Sequence, residues 1–204
     1  MAFVRKHGFK LAVLALCLSF GLYLWFAKWS AEGETLPVIQ AAPSFALTDI
    51  DGNEVSLEST NGKARIVYFY FANCPDVCPP TTFLLSQVQE LLKKDGTLGK
   101  EAEIISITFD PERDTPEAIR AFAERNFADL SGGWLFLRGD DEEQSLQLAK
   151  SFGVGVIKDE ATGNYGHSNI ITLVDKQGQI RKYINGSEES LTAEQIAEEL
   201  KKLM

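Results

Sequence analysis

Residues 65–78 read RIVYFYFANCPDVC, and this stretch decides the fold. Its first part, residues 65–71, is a run of apolar and aromatic side chains with a single charge, which is typical of a buried strand. Cys74 and Cys78 follow almost at once, with three residues between them. Thiolates are redox nucleophiles and soft metal ligands alike. A pair of thiols where a buried strand runs into a loop therefore predicts electron exchange, metal binding or both.

Alternating strand and helix patterns continue on both sides of this stretch. A hairpin is predicted over 45–57 around an Asp-Gly turn, and the later elements follow in alternation. The predicted strands are 103–109, 134–137, 167–174 and 179–184, and the predicted helices are 81–94, 114–126, 141–152 and one that begins at 192. Such an order specifies a three-layer α/β sandwich. The order of elements over 44–203 resembles the thioredoxin fold.

The N-terminal segment differs from the rest of the chain. Residues 11–27 contain no charged residue, and as a helix this run of 17 residues would be about 25 Å long, slightly short of a hydrocarbon core of about 30 Å. Three basic residues precede the run, and only Lys28 follows it before the first acidic residue. The positive-inside bias therefore predicts a single-pass transmembrane helix in the cell membrane, residues 1–29, with a cytoplasmic N-terminus and an extracytoplasmic C-terminal domain.

Two alternatives to a retained anchor are a cleaved signal peptide and a lipoprotein. The run does not end in a small-x-small cleavage site, and Leu16 stands before Cys17 where a lipoprotein would have a small residue. Residues 30–43 contain glycine and two prolines and show little periodicity, so they predict a tether between the anchor and a thioredoxin-like domain at 44–204.

The charge and the cysteines of the predicted exported part limit the functions that it can have. Outside residues 1–29 the chain has 16 basic and 29 acidic residues, a net charge of −13, which disfavours binding to nucleic acid. Cys17 falls inside the anchor, so one pair of cysteines remains in the domain. In an oxidising compartment the simplest interpretation of such a pair is a disulfide bond.

His167 is the one histidine of the predicted domain, since His7 precedes the anchor. In the thioredoxin fold the loop that enters the penultimate strand faces the cysteine loop and normally carries a cis-proline. No proline occurs between residues 161 and 170. Residues 163–166 predict a flexible loop that presents His167 to the cysteines, although a surface or core histidine is the commoner role.

Together Cys74, Cys78 and His167 would form a set of two sulfurs and one nitrogen. This set suits copper in either oxidation state, because thiolates favour Cu(I) and imidazole helps to hold Cu(II). Zinc accepts the same ligands, but a structural zinc site normally has a fourth Cys or His. Both thiols lie near a predicted helix N-terminus, where the N–H groups favour thiolates. We expect a labile copper site.

Three motifs together resemble the Sco/SenC family of membrane-anchored copper proteins. They are CPDVCP at 74–79, DPERDTPE at 110–117, and a His-Ser pair at 167–168 ahead of a strand. The resemblance implies copper binding through the two cysteines and the histidine. It also implies a role in assembling the dinuclear copper centre of cytochrome c oxidase, with thiol-disulfide exchange. The implied partners are the copper-bearing oxidase subunit, other copper chaperones and thiol reductants.

Other functions stay open beside a metallochaperone without catalytic turnover. An enzyme, a thiol-disulfide reductase, would use Cys74 for attack and Cys78 for resolution. A peroxidase and a purely structural disulfide are further alternatives. Three aspartates are expected around the site: Asp114 as the cap of the following helix, and Asp110 and Asp76 as residues that orient His167 or a basic residue of a partner.

Overall fold

The computed structural model describes residues 2–31 and 36–204. The chain divides into two compact units, Met1–Thr35 and Leu36–Met204. The first unit contains helix α1 (Ala2–Ala31), which coincides with the predicted anchor. Among the described residues, however, no helix meets the length and apolarity needed to cross a membrane. The flanking side chains of Arg5, Lys6 and Lys28 lie outside the described residues, so the anchor and its orientation stay predictions.

An eight-stranded mixed sheet forms the centre of the second unit. In spatial order its strands are β1 (Gln40–Ala41), β10 (Gln179–Asn185), β9 (Ile170–Val174), β4 (Ala64–Tyr70), β5 (Ala102–Thr108), β6 (Trp134–Arg138), β2 (Ala46–Asp49) and β3 (Glu54–Ser56). The three central strands β4, β5 and β6 are parallel, and the other pairs are antiparallel. Every residue of β4 and β5 is buried, as the apolar runs predict.

Helices cover both faces of the sheet. They are α2 (Cys78–Lys94), α3 (Pro116–Arg125), α4 (Glu142–Ser151) and α5 (Ala193–Lys201). Tyr70 of β4 stacks on Phe122 of α3 with ring centroids 5.0 Å apart. Its neighbour Phe69 points to the other face and contacts Phe152 at the end of α4, 5.4 Å away. The predicted three-layer α/β sandwich is confirmed.

Side-chain caps begin three of the four helices that cover the sheet. Thr192 and Gln195 form a reciprocal capping box at the start of α5, and Asp141 caps α4. The prediction that Asp114 caps α3 is wrong. Thr115 is the cap, and its hydroxyl accepts the N–H of Ala118. Because proline is favoured at the first helical position, the residue just before it takes the capping place.

Regular structure occurs in two places of the chain where none was predicted. Strand β1 lies within the predicted tether and pairs with β10 through backbone hydrogen bonds. Residues 163–166, predicted as a flexible loop, belong instead to a hairpin of β7 (Val156–Asp159) and β8 (Asn164–His167). Its turn is closed by the Gly163 N–H, which donates to the Asp159 carbonyl with Gly163 at φ +67°. The strand predicted to begin at 167 therefore begins at Ile170.

Candidate metal centre

The structure brings the three predicted ligand residues together. The sulfurs of Cys74 and Cys78 and a ring nitrogen of His167 all lie within 4.8 Å of one another. The closest approach is between Cys78 Sγ and His167 Nε2, at 3.2 Å. The backbone N–H of Cys78 donates to Cys74 Sγ at 3.4 Å. These residues come from three elements: the loop after β4, the first residue of α2, and the end of β8.

The cysteine loop is a tight turn that runs directly into a helix. The Cys74 N–H donates to the Phe71 carbonyl at 3.2 Å, which turns the chain as soon as β4 ends. Helix α2 begins at Cys78, with Pro79 and Pro80 in its first turn. Prolines are tolerated there because the first N–H groups of a helix have no partner within it. The loop therefore delivers both sulfurs to the N-terminus of α2.

His167 is oriented by its neighbour and by aromatic rings. Its Nδ1 lies 3.2 Å from the Ser168 carbonyl, which can only accept, so in the neutral ring Nδ1 carries the proton. The Nε2 lone pair then faces the sulfurs, the arrangement that a metal-binding histidine requires. The ring packs edge-on against Phe109 and Phe71, with centroids 5.2 and 6.1 Å away.

The two thiols have different proton affinities. The pKa of Cys74 falls to about 4, chiefly because the Cys78 thiol donates to it, with further help from backbone N–H groups. Burial raises the pKa of Cys78, and the neighbouring Cys74 raises it further. The pKa of Cys74 is lowered, as expected near a helix N-terminus, but chiefly by the Cys78 thiol, and the pKa of Cys78 is raised instead. At neutral pH the metal-free pair is one thiolate and one thiol.

The three predicted aspartates are not equivalent. Asp76 is exposed on the cysteine loop, where its backbone N–H helps to lower the pKa of Cys74. Asp110 makes no hydrogen bond to His167; its carboxylate is buried and accepts from Arg113 Nε at 2.5 Å.

Asp114 is fully buried behind the loop. Its Oδ2 accepts the N–H of Ala72 at 2.9 Å and the Thr108 hydroxyl at 2.5 Å. Burial raises the pKa of Asp114 to about 6. Asp114 thus holds the chain two residues before Cys74, a role that its sequence position at the start of α3 did not suggest.

Sequence reasoning missed Tyr165, which packs against the same two phenylalanine rings as His167. Its ring lies 5.0 Å from Phe109 and 5.3 Å from Phe71, and its hydroxyl donates to Glu142 at 2.8 Å. Tyr165 and His167 are two residues apart on β8, so they share one face of that strand. The spacing could have revealed Tyr165 had a strand been predicted there. Nothing in the sequence points to its partner Glu142, which lies 23 residues away.

The chain matches known proteins by sequence. The SCO1/SenC family profile matches residues 34–204. A curated relative, the SCO1 protein homolog of Bacillus subtilis, is 33% identical over 168 residues, which cover 82% of this chain and 85% of that protein.

Solved structures of the same family share the fold. A SCO1/SenC family lipoprotein from Bacillus anthracis superposes with a TM-score of 0.72 at 28% identity, over 80% of this chain and 95% of that one. BsSco, a member of the Sco family of cytochrome c oxidase assembly proteins with an identified disulfide switch, superposes with a TM-score of 0.70 at 29% identity, over 82% of this chain and 96% of that one. Copper-bound ScoI of Bradyrhizobium japonicum superposes with a TM-score of 0.67 at 30% identity, over 80% of this chain and 99% of that one. By its matching profile, its sequence identity and its fold, this chain belongs to the SCO1/SenC family.

Proposed function

We propose that this protein is a membrane-anchored metallochaperone that binds copper and assists assembly of the dinuclear copper centre of cytochrome c oxidase. The observation that carries the proposal is the approach of two sulfurs and one imidazole nitrogen to within 4.8 Å of one another. Family membership and the copper-bound ScoI structure support the choice of metal. The assembly role is supported by BsSco, which is a member of the Sco family of cytochrome c oxidase assembly proteins.

The donor set fits a copper ion in size and in chemistry. Metal bonds to sulfur and nitrogen of about 2.0–2.3 Å keep three ligand atoms about 4 Å apart, which agrees with the cluster. Cys74 is already a thiolate, His167 presents a lone pair, and Cys78 would lose its proton as the ion binds. Among the described residues the cluster holds three ligand side chains. A site with an open position can accept a ligand from a partner, which suits an ion that is to be passed on.

The proposed location rests on the sequence of the first unit. The uncharged run at 11–27 and the basic residues before it support a single pass in the cell membrane, with the second unit outside the cytoplasm. One relative, the SCO1/SenC family lipoprotein from Bacillus anthracis, supports association with a membrane. Partners of such a domain would be the copper-bearing oxidase subunit, and a copper donor or thiol reductant upstream.

Copper titration of the full chain tests the ligand set. Reduced protein in mild detergent is titrated with Cu(II) against a competing chelator. The His167→Ala variant should bind at least about 100-fold more weakly, because loss of a ligand exceeds the roughly 10- to 100-fold effect of residues behind ligands. Cys74→Ser and Cys78→Ser should lose the sulfur-to-copper absorption band. His7→Ala and Cys17→Ser are matched controls and should bind like wild type. Unchanged affinity of His167→Ala would refute the site.

The assembly role is tested in cells. A strain that lacks the gene is complemented with wild type or with the Cys74, Cys78 and His167 variants, and the copper content of purified oxidase is measured. Each variant should leave the oxidase copper-deficient at low copper, with partial recovery when copper is added. Normal oxidase copper in all three variants would contradict the proposal.

A second candidate function is thiol-disulfide reduction, and the unequal thiols favour it. The Cys74 thiolate would attack a disulfide of the target, and Cys78 would then displace the reduced target while Cys74 and Cys78 form a disulfide. Two electrons would pass to the target. This reaction does not need His167, so a His167→Ala strain with full oxidase assembly would favour the reductase. Both activities can serve one target, because a thiol site must be reduced before it binds copper.

A further inference from the structure

The hairpin that carries His167 is structurally separate from the main sheet. Strands β7 and β8 pair only with each other among the described strands. A two-stranded hairpin is at best marginally stable in water without further packing. The position of the His167 nitrogen therefore depends on whatever fastens the hairpin to the rest of the domain.

Arg113 makes two contacts with the turn end of this hairpin. It lies in the loop between β5 and α3, and one guanidinium N–H donates to the Gly163 carbonyl at 2.5 Å. Its guanidinium carbon also lies 5.6 Å from the centre of the Tyr165 ring, within cation–π range. Gly163 and Tyr165 flank Asn164, the first residue of β8. Arg113 thus reaches the strand that ends in His167.

A buried carboxylate holds Arg113 in this position. Asp110, with 2% of its surface exposed, accepts from Arg113 Nε, so the opposite edge of the guanidinium is free to face the hairpin. A planar guanidinium has donors in fixed directions on two edges, so it can bind a carboxylate on one side and a carbonyl on another without reorienting. Lysine, a point charge on a flexible stem, does not fix both contacts in one geometry.

A second fastening comes from helix α4. Glu142 accepts from the Tyr165 hydroxyl at 2.8 Å and from Lys158 of β7 at 2.7 Å. It therefore holds both strands of the hairpin at mid-length, whereas Arg113 holds the turn. With the Tyr165 ring packed between Phe71 and Phe109, these contacts define one orientation of β8.

We propose that Arg113 is a positioning residue for the metal ligand His167: by joining Asp110 to the Gly163 carbonyl and the Tyr165 ring, it fastens the β7–β8 hairpin so that the imidazole stays against the two sulfurs. This inference rests on the proposed copper function. Its structural half, that Arg113 fastens the hairpin, can be measured without any metal.

The metal-free test is hydrogen–deuterium exchange on the full chain in detergent. In Arg113→Gln, amide exchange across 156–167 should rise about tenfold over wild type. The matched control is Arg120→Gln. Arg120 also binds a carboxylate, Asp51, and a backbone carbonyl, Ile50, but at the distant β2–β3 hairpin. The Arg120→Gln variant should leave amide exchange at 156–167 unchanged. Unchanged exchange in Arg113→Gln would overturn the proposal whatever copper does.

The metal test is a double-mutant cycle measured as Cu(II) affinity. Arg113→Gln should weaken binding about tenfold, the lower end for residues behind metal ligands. In the His167→Ala background the same change should have less than about a twofold effect, because the ligand that Arg113 positions is gone. An equal loss in both backgrounds, or no loss with His167 present, would overturn the positioning role.

Two further variants keep the result decisive if Arg113→Gln folds poorly. Arg113→Lys retains the charge beside Asp110 and should still weaken Cu(II) binding and raise exchange at the hairpin. Tyr165→Phe removes only the hydroxyl contact with Glu142, so it should change Cu(II) binding and hairpin exchange less than Arg113→Lys does. Wild-type behaviour of Arg113→Lys in both measurements would refute the need for the guanidinium fork. If His167→Ala binds Cu(II) like wild type, the copper site itself fails, and the exchange experiment still decides the fastening.

Discussion

Replacement of Asp114 by asparagine should make the domain more stable at neutral pH and change how its stability depends on pH. Folding raises the pKa of Asp114 from 3.8 to about 6, because the carboxylate is buried. The native state therefore binds more protons than the unfolded state between these values, and stability falls as the pH rises through this window. One pKa unit corresponds to about 1.4 kcal/mol, so the full effect is at most about 3 kcal/mol. Asparagine keeps an oxygen for Ala72 and Thr108 and has no charge to bury.

The assay is urea unfolding of reduced, metal-free protein followed by circular dichroism between pH 4 and 7.5. The free energy of unfolding of wild type should fall relative to Asp114→Asn by up to about 3 kcal/mol across this range, while other titrating groups cancel in the difference. Asp49→Asn is a control that should leave the pH dependence nearly unchanged in this range, because the pKa of Asp49 is lowered from 3.8 and its titration lies below pH 4. Burial raises the pKa of Asp49, but hydrogen bonds from Asn53 and the turn lower it overall. Parallel pH curves for wild type and Asp114→Asn would refute the reasoning.

Two further predictions concern the cysteine pair and the last helix. The rate at which Cys74 is alkylated in the metal-free protein should be nearly independent of pH between 6 and 8, whereas the rate for a thiol with a pKa near 8.5 would change by roughly two orders of magnitude. Mass spectrometry of the modified peptide gives the rate. A steep dependence of the rate on pH would contradict the lowered pKa. Thr192→Ala should cost about 1 kcal/mol by removing the capping box of α5, and calorimetry should show a melting temperature lower by about 2–4 °C.

The parts of the fold that could be predicted are those in which the local sequence pattern agrees with the tertiary environment. Apart from Arg65, the run at 65–71 is apolar or aromatic because both faces of β4 are covered, so its pattern identified the strand. His167 was found because a histidine stands where the fold normally has a proline. The cysteines were found from their place after a buried strand.

The missed features depend on partners that are distant in the chain. The role of Asp114 is set by Ala72, which lies 42 residues away, whereas its position before Pro116 predicts a helix cap. Strand β1 has two residues and is held by backbone pairing to β10, which side-chain patterns do not report. The β7–β8 hairpin includes Lys158, Asp159 and Asn164, polar residues that weaken a strand signal. Its stability comes from Glu142 and Arg113 instead.

The distance along the chain between the ligands has a thermodynamic consequence. Cys78 and His167 are 89 residues apart in sequence, yet their side chains touch. An ion held by both would be a reversible cross-link that closes a long loop of the unfolded chain. Because the unfolded chain has no preformed site, binding would favour the folded state by mass action, by about 2.7 kcal/mol at a free ion concentration 100 times the dissociation constant. The metal-bound protein would then be the more durable molecule, and loss of the ion would leave the form that opens and is degraded more readily.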